Sequence, residues 1–243
     1  MAVKIFDGLV ISTLGMPVGQ EILYSRPMKN IFILALCLFT LSATAARKTP
    51  SDKLWEAVED DNLRKASKAL DKGADPDSVN NPDAPTTSIF LRAAVLNRVE
   101  MIKLMLDHKA SIDQGRPIDH HTALMIAATR NNAVLAQLLV DRGANINLDT
   151  IFSRTALQIA ALNNSLAVAK VLLAQENIDV NHRPDLCALA VASRQGFKEM
   201  VVLISGQVEA KAPSVECLKA AIGMAEYNHH EEILAILHQI PHL

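Results

Sequence analysis

The densest group of potential metal ligands and proton carriers lies at the C-terminus: His229, His230, Glu231, Glu232, His238 and His242. His238 and His242 stand at i,i+4, a spacing that puts two imidazoles on one helix face, where a metal ion can be held. Pro241 falls between them, and proline breaks a helix by removing a backbone donor and crowding the preceding turn. A structural or solvated role is therefore expected for the cluster. No phosphate-binding loop, zinc-protease helix or nucleophile elbow appears in the sequence. The chain is expected to be no enzyme, with no catalytic residue, cofactor or metal. A metal-dependent enzyme using the His-rich C-terminus is the alternative, and metal analysis of the purified chain would separate the two.

The elements that carry these residues follow from a repeat. Thr122-Ala-Leu-Met-Ile-Ala-Ala is followed by Asn131, Leu138-Leu139 and Gly143-Ala144-Asn145-Ile146-Asn147. Thr155-Ala-Leu-Gln-Ile-Ala-Ala is followed by Asn164, Leu172-Leu173 and Ile178-Asp179-Val180-Asn181. The two threonines stand 33 residues apart, a period that belongs to stacked-repeat architectures. Related units begin near residues 51, 86, 184 and 214, giving about six: 51–85, 86–118, 119–151, 152–183, 184–213 and 214–243. Leu124, Ala127 and Ala128 share one helical face, as do Leu135, Leu138 and Leu139. Each unit thus resolves into two short helices, a tight bend and an extended hairpin. Ser88, Thr122 and Thr155 are placed to cap the first helices. Asn131, Asn164 and Gly196 sit at bends that favour a left-handed backbone. Gly73 and Gly143 end second helices in the same conformation, whereas Lys109 and Glu176 stand where that glycine would be. Each would cost about 1–2 kcal/mol if the geometry is kept. Trp55, in a first unit with a polar second helix, is expected to pack against the next unit.

This pattern resembles the ankyrin-repeat family over essentially all of residues 51–243, carried by the Thr-Ala-Leu starts, the alanine pairs, the Leu-Leu runs and the Gly-Ala-Asp/Asn ends. The resemblance implies an all-α fold, a solenoid of about six stacked ankyrin repeats. It also implies a binding scaffold whose first helices line a concave groove and whose hairpin tips project from one edge. The family's usual Thr-Pro-Leu-His becomes Thr-Ala-Leu-Met at Met125 and Thr-Ala-Leu-Gln at Gln158, removing the usual Thr–His bonding. Tip candidates for partner binding are Arg116, His120, Phe152, Arg154, His182 and Arg183. Groove candidates are Met125, Thr129, Arg130, Gln158, Leu162 and Asn163. Phe152 and Arg154 are the sharpest pair, because exposed aromatics and arginines are enriched in interface hot spots.

Cys187 and Cys217 lie near the starts of adjacent units, with Cys217 about three residues ahead of the matching position. Equivalent positions on neighbouring helices are ~8–10 Å apart, farther than a bridge reaches, so two buried thiols are expected.

Half of the 243 residues are apolar but only 4% are aromatic, so alanine and leucine carry the burial. Formal charge is −2 for the whole chain. Setting aside Lys4, Arg26, Lys29, Asp7 and Glu21 of residues 1–46 takes the totals from 24 and 26 to 21 basic and 24 acidic residues, which argues against a nucleic-acid partner. Met28-Lys29-Asn30, the apolar run Ile31–Leu41 and the small-residue end Ser42–Ala46 form the three parts of a secretory signal peptide. Met28–Ala46 is expected to be that signal, and residues 1–27 a disordered, over-extended start. The run is too short to span a membrane stably; an uncleaved anchor over residues 31–46 is the alternative. The expectation is thus a secreted or periplasmic monomer that binds another protein. A structural spacer, which would self-associate, is the other non-enzymatic reading.

Overall fold

In the computed structural model, the described residues are 4–6, 9–11, 48–79, 87–207 and 212–240. Two compact units are present, Met1–Arg47 and Lys48–Leu243. In the first, β1 (Lys4–Phe6) and β2 (Leu9–Ile11) form an antiparallel pair inside the start segment expected to be disordered, with Ile5 opposite Val10. The proposed signal segment lies outside the described residues. So do most of the connector after Val79, Pro241 and His242. Among the described residues, no helix is long and apolar enough to cross a membrane.

The second unit is a stack of helix pairs. The first helices are α1 (Pro50–Glu59), α3 (Ile89–Val95), α5 (Ala123–Thr129), α7 (Ala156–Leu162), α9 (Ala188–Gln195) and α11 (Val215–Tyr227). The second helices are α2 (Leu63–Leu70), α4 (Val99–Asp107), α6 (Ala133–Asp141), α8 (Leu166–Leu173), α10 (Lys198–Ser205) and α12 (Glu231–Leu237). First helices pack on first helices and second on second, unit after unit, so each unit meets only its neighbours. One continuous core runs through both layers. The all-α solenoid is therefore the fold.

Alanine sets the spacing of the first layer. Ala93, Ala94, Ala127, Ala128, Ala160, Ala161 and Ala192 are all fully buried, and small side chains let helix axes approach closely. The second layer is filled by bulkier side chains such as Met101, Met105, Leu139, Leu172 and Ile204. A stack bends toward whichever layer is narrower, and the alanine pairs make the first-helix layer the candidate for the concave side.

Caps start the first helices as the residue types predict. Ser88, Thr122 and Thr155 accept from the backbone N–H three residues on, at 3.3–3.4 Å. The bends are left-handed at Asp61, Asn97, Asn131, Asn164, Gly196 and His229. Gly196 has a second reason to be glycine, since a Cβ there would fall 2.9 Å from the His230 ring of the next unit. Lys109 keeps the left-handed φ of +66° where glycine is usual. Glu176 does not: Asp179-Val-Asn181 follows Asn145-Ile-Asn147 by 34 residues rather than 33, and the one extra residue of the fourth unit carries the chain through that end by another route.

The hairpins are joined by a ladder written in alternate residues. In Asp75-Pro-Asp77, Asn145-Ile-Asn147 and Asp179-Val-Asn181, the first side chain accepts from the backbone N–H two residues on, at 2.9–3.1 Å. The second reaches the next unit. Asp77 accepts from Ser111 N–H, Asp113 from Asn145 N–H, Asn147 from Asp179 N–H and Asn181 from Ser214 N–H, at 2.7–3.1 Å. The residue between them, Ile146 or Val180, faces the core. Period-two alternation thus separates a buried side from a side that bonds unit to unit.

Cys187 and Cys217 form a disulfide, contrary to the expectation of two thiols, with Cα atoms 5.8 Å apart and both side chains fully buried. The expectation assumed first helices of equal length in register. Instead α11 runs for 13 residues against 7 or 8 in α3, α5, α7 and α9. Ser214 caps it through Cys217 N–H at 3.2 Å, so helix replaces hairpin at the start of the last unit. That additional turn brings Cys217 alongside Cys187, within bridging reach.

Candidate functional site

The surface that a partner would meet is built from hairpin tips and the exposed side of the first helices. The hairpin that leads into the third unit is held by its own charges. Both guanidinium arms of Arg116 bond Asp119, whose carboxylate also accepts from His121 N–H at 3.1 Å. Arg116 N–H donates to His121 C=O at 3.0 Å, and His120 N–H to Arg116 C=O at 2.8 Å. Gly115 packs so close that a Cβ would lie 2.7 Å from His120 O. Arg116 therefore shapes the loop before it can serve a partner, while His120 stays exposed in a left-handed conformation.

Charge within this hairpin is unevenly balanced. The Asp119 carboxyl feels burial, which raises its pKa, but Arg116 and the His121 N–H outweigh it and hold it below the usual range. Burial is the main cause that pushes the His121 imidazole below its ordinary value. Asp119 opposes that shift, and the positive charges of Arg116 and Arg154 add to it.

The next hairpin carries Phe152 and Arg154. Asp149 and Thr155 form an isolated bridge, and Thr150 N–H donates to Arg154 C=O at 3.1 Å, closing a short loop around Ile151-Phe152-Ser153. Phe152 is 64% exposed, and Ile151 beside it is 53% exposed. Ile151 N–H donates to Asp119 C=O of the preceding hairpin at 3.3 Å, which sets the two tips side by side. Ile118, adjacent to Asp119, is 64% exposed. Ile118, Ile151 and Phe152 therefore make a strip of apolar tips across two adjacent hairpins. Phe152 was expected there. The two isoleucines were missed, although each is an apolar residue in a turn-rich segment with no helical partner at i±3 or i±4.

Two groove candidates prove to be interior residues. Met125 is 1% exposed and belongs to the core of its unit. Gln158 is 3% exposed. It closes a capping box by accepting from Thr155 N–H at 2.8 Å, and its amide donates to His182 C=O at 3.0 Å and Leu186 C=O at 2.9 Å. The position three residues after the cap turns toward the neighbouring unit rather than into the groove. Gln158 thus replaces the missing Thr–His bonding of its own unit and ties that unit to the next hairpin.

The remaining candidates reach the surface to different degrees. Thr129 and Arg130 are exposed at the end of α5, and Asn163 occupies the equivalent place after α7. His182 sits 3.5 Å from Asp149 and 3.8 Å from Asp179, and Arg183, in a left-handed conformation, pairs with Asp185 at 3.2 Å. Leu162 is half-buried and lines a narrow crevice with Arg154, Gln158, Leu186, Val191 and Arg194, with room for about one water molecule. Arg194 was not anticipated as a site residue.

At the C-terminus, the His230 ring packs on Gly196 and its Nε2 lies 3.2 Å from Arg194 C=O, joining the last two units. His238 is exposed. Among the described residues, no three His, Cys, Asp or Glu side chains converge as metal ligands would.

Two overlapping matches to a family model described as "Ankyrin repeats (3 copies)" cover residues 54–150 and 135–214, more than half of the chain. Similar curated proteins include the human "SH3 and multiple ankyrin repeat domains protein 2", 29% identical over 148 residues, or 60% of this chain and 8% of that one. The human "Ankyrin repeat and SOCS box protein 11" is 35% identical over 80 residues, 33% of this chain and 24% of that one. "Protein glp-1" of Caenorhabditis elegans is 25% identical over 203 residues, 77% of this chain and 15% of that one. The chain spans less than a quarter of each of these relatives' own length, and the likeness lies in the repeats.

Proposed function

Because the chain belongs to the ankyrin-repeat family, whose repeats serve as protein-interaction modules, we propose that it is an exported, non-catalytic binding module. Its role is to capture one partner protein through the concave side and the tips beside it. The observation that carries this reading is the strip Ile118, Ile151 and Phe152, three large apolar side chains more than half exposed on adjacent, mutually bonded hairpins. Exposed single apolar residues are ordinary; a row of them on a rigid edge marks a contact surface. Ordering costs on binding are small because the ladder and the caps already fix the tips.

Two features support export. The sequence carries the parts of a signal peptide in Met28–Ala46. The Cys187–Cys217 bridge suits an oxidising compartment, since thiols are kept reduced in the cytosol of most cells. Maleimide labelling of the denatured, unreduced protein tests the second point. Neither Cys187 nor Cys217 should react until a reductant is added, and labelling mapped to either of them in protein taken from its native compartment would count against export.

A photo-reactive phenylalanine analogue tests the surface. Placed at position 152 of the whole chain in its native host, it should give one discrete crosslinked product. Placed at Val202, exposed on the second-helix layer, it should give none. Equal yields from both positions would sink the assignment.

A further inference from the structure

The first unit keeps its charges apart. Residues 48–79 hold eight acidic and six basic side chains, yet one cleft of this unit is lined by four lysines and a single glutamate. It opens between α1 and α2 and takes no lining residue from the second unit. Lys65, Lys68 and Lys72 stand at i, i+3 and i+7, the spacing of one helical face, and Lys53 comes from α1. Ala69, 3% exposed, lies between them. The acids of the unit gather elsewhere: Glu59, Asp60 and Asp61 at the bend, Asp75 and Asp77 in the hairpin ladder.

Local pairing leaves a surplus. Glu56, the one acid in the lining, pairs with Lys48, and Lys65 pairs with Asp60 at 2.9 Å. Among the described residues, no carboxylate comes within ion-pair distance of Lys53, Lys68 or Lys72, whereas Lys198 meets Glu232 at 3.0 Å. An end unit needs only a polar outer side, which interspersed charges of both signs would supply. Like charges set around one cleft repel each other instead, and they draw in anions. The cleft has a free volume of about 270 Å³, close to the lower end of the ~300–1,000 Å³ usual for small-molecule sites. Its cations are all lysines. Ammonium groups are compact point charges that suit phosphate, while the planar fork that matches a carboxylate belongs to arginine.

We propose that the cleft between α1 and α2 binds a small soluble anion carrying at least two phosphate groups, held by Lys53 from one helix and by Lys68 and Lys72 from the other. The site lies on the first unit, apart from the apolar tips Ile118, Ile151 and Phe152, and stands whether or not those tips capture a protein. A recessed cleft of this size takes a small molecule; a flat lipid surface would be met by lysines spread over an exposed face.

The test is calorimetric titration of the whole chain with inorganic pyrophosphate, orthophosphate and citrate. Pyrophosphate should bind at least about tenfold more tightly than either of the others, since it alone brings two phosphates to lysines on both helices. Its affinity should fall with added salt. Lys68→Gln with Lys72→Gln should remove the preference for pyrophosphate, and Lys53→Gln alone should weaken it. Lys103→Gln removes the same charge from an exposed position on α4, outside the cleft, and should change nothing. All of these side chains are exposed, so thermal midpoints without ligand should match the parent's. Equal weakening by Lys53→Gln and Lys103→Gln would reduce the effect to net charge and overturn the site. So would citrate or orthophosphate binding as tightly as pyrophosphate, or no binding of any of the three. A second arm pellets the chain with phosphatidylcholine vesicles, with and without phosphatidic acid. Association with the acidic vesicles that pyrophosphate does not displace would make this face a membrane contact and also overturn the assignment.

Discussion

Gln158 shows how one side chain can look like a binding residue in the sequence and act as a joint in the fold. It is 3% exposed and makes three hydrogen bonds, two of them to carbonyls of the next unit's hairpin. Replacing it with alanine leaves the Thr155 N–H and two carbonyls without that partner. The expected cost is about 2 kcal/mol, because buried polar groups stripped of partners lose more than a hydrogen bond is worth. Chemical denaturation of Gln158→Ala should show this as a lowered midpoint with an unchanged slope. Met125 at the equivalent position is pure core, so the same reasoning assigns it cavity formation rather than lost bonding. At the same scale, Arg154 can be read through His121. The imidazole pKa is lowered first by burial, with Arg116 and Arg154 adding to the shift and Asp119 opposing it. Arg154→Gln should therefore raise the His121 midpoint followed by NMR; an unmoved midpoint would mean that Arg154 projects no field there. The sign for stability is also fixed. A histidine held below its unfolded pKa contributes fully above that pKa, and the contribution is lost as pH falls toward the folded value. The hairpin should thus loosen on mild acidification, before Asp119 itself titrates.

At the level of elements, the sequence was legible wherever one residue type answers one backbone demand. The caps at Ser88, Thr122 and Thr155 and the left-handed bends at Asn131, Asn164 and Gly196 are local chemistry, and they sit where residue type placed them. The disulfide was not legible, because it depends on how long α11 runs, and helix starts are set by tertiary contacts as much as by propensity. The division of candidates between groove and interior failed for a similar reason: which way a side chain faces depends on the rotation of short helices against their neighbours. Phe152 was recoverable from its turn context; Arg194 was not, since only the neighbouring unit makes it part of a crevice. Lys109 and Glu176 looked alike in the repeat alignment, yet only Lys109 holds the left-handed geometry, at φ +66°. Lys109→Gly should therefore stabilise the protein by about 1 kcal/mol, by relieving a Cβ that this conformation crowds. Glu176→Gly should give no such gain, because it trades an unstrained residue for a more flexible one. Thermal midpoints of the two variants decide the matter, and a gain from both would mean that φ is not the cause.

Across the whole molecule, stability is distributed as in a one-dimensional stack, where each unit is held by its own caps and by one interface on each side. The interior units have ladder bonds before and behind; among the described residues, the sixth unit has a neighbour on one side only. There, Asn181 still accepts from Ser214 N–H, and His230 still packs on Gly196, but α12 is short and its first residue follows an N-cap without a side-chain bond. The bridge from Cys187 to Cys217 spans 30 residues around α10 and fastens this unit to the one before. By the chain-entropy model, closing a loop of that length is worth about 3–4 kcal/mol. In a globule, removing it would lower the stability of every element together. In a stack, the loss should fall on α11 and α12, which would open while α5 to α8 remain folded. Hydrogen exchange on the Cys187→Ala, Cys217→Ala variant therefore distinguishes the two behaviours. Protection should drop sharply over residues 215–237 and hardly at all over residues 123–173. A uniform drop would show that the units fold as one body, and the concave face would then be no more rigid at its centre than at its ends. A graded drop, steepest at the last unit, makes the third and fourth units the firm platform on which the apolar tips are presented.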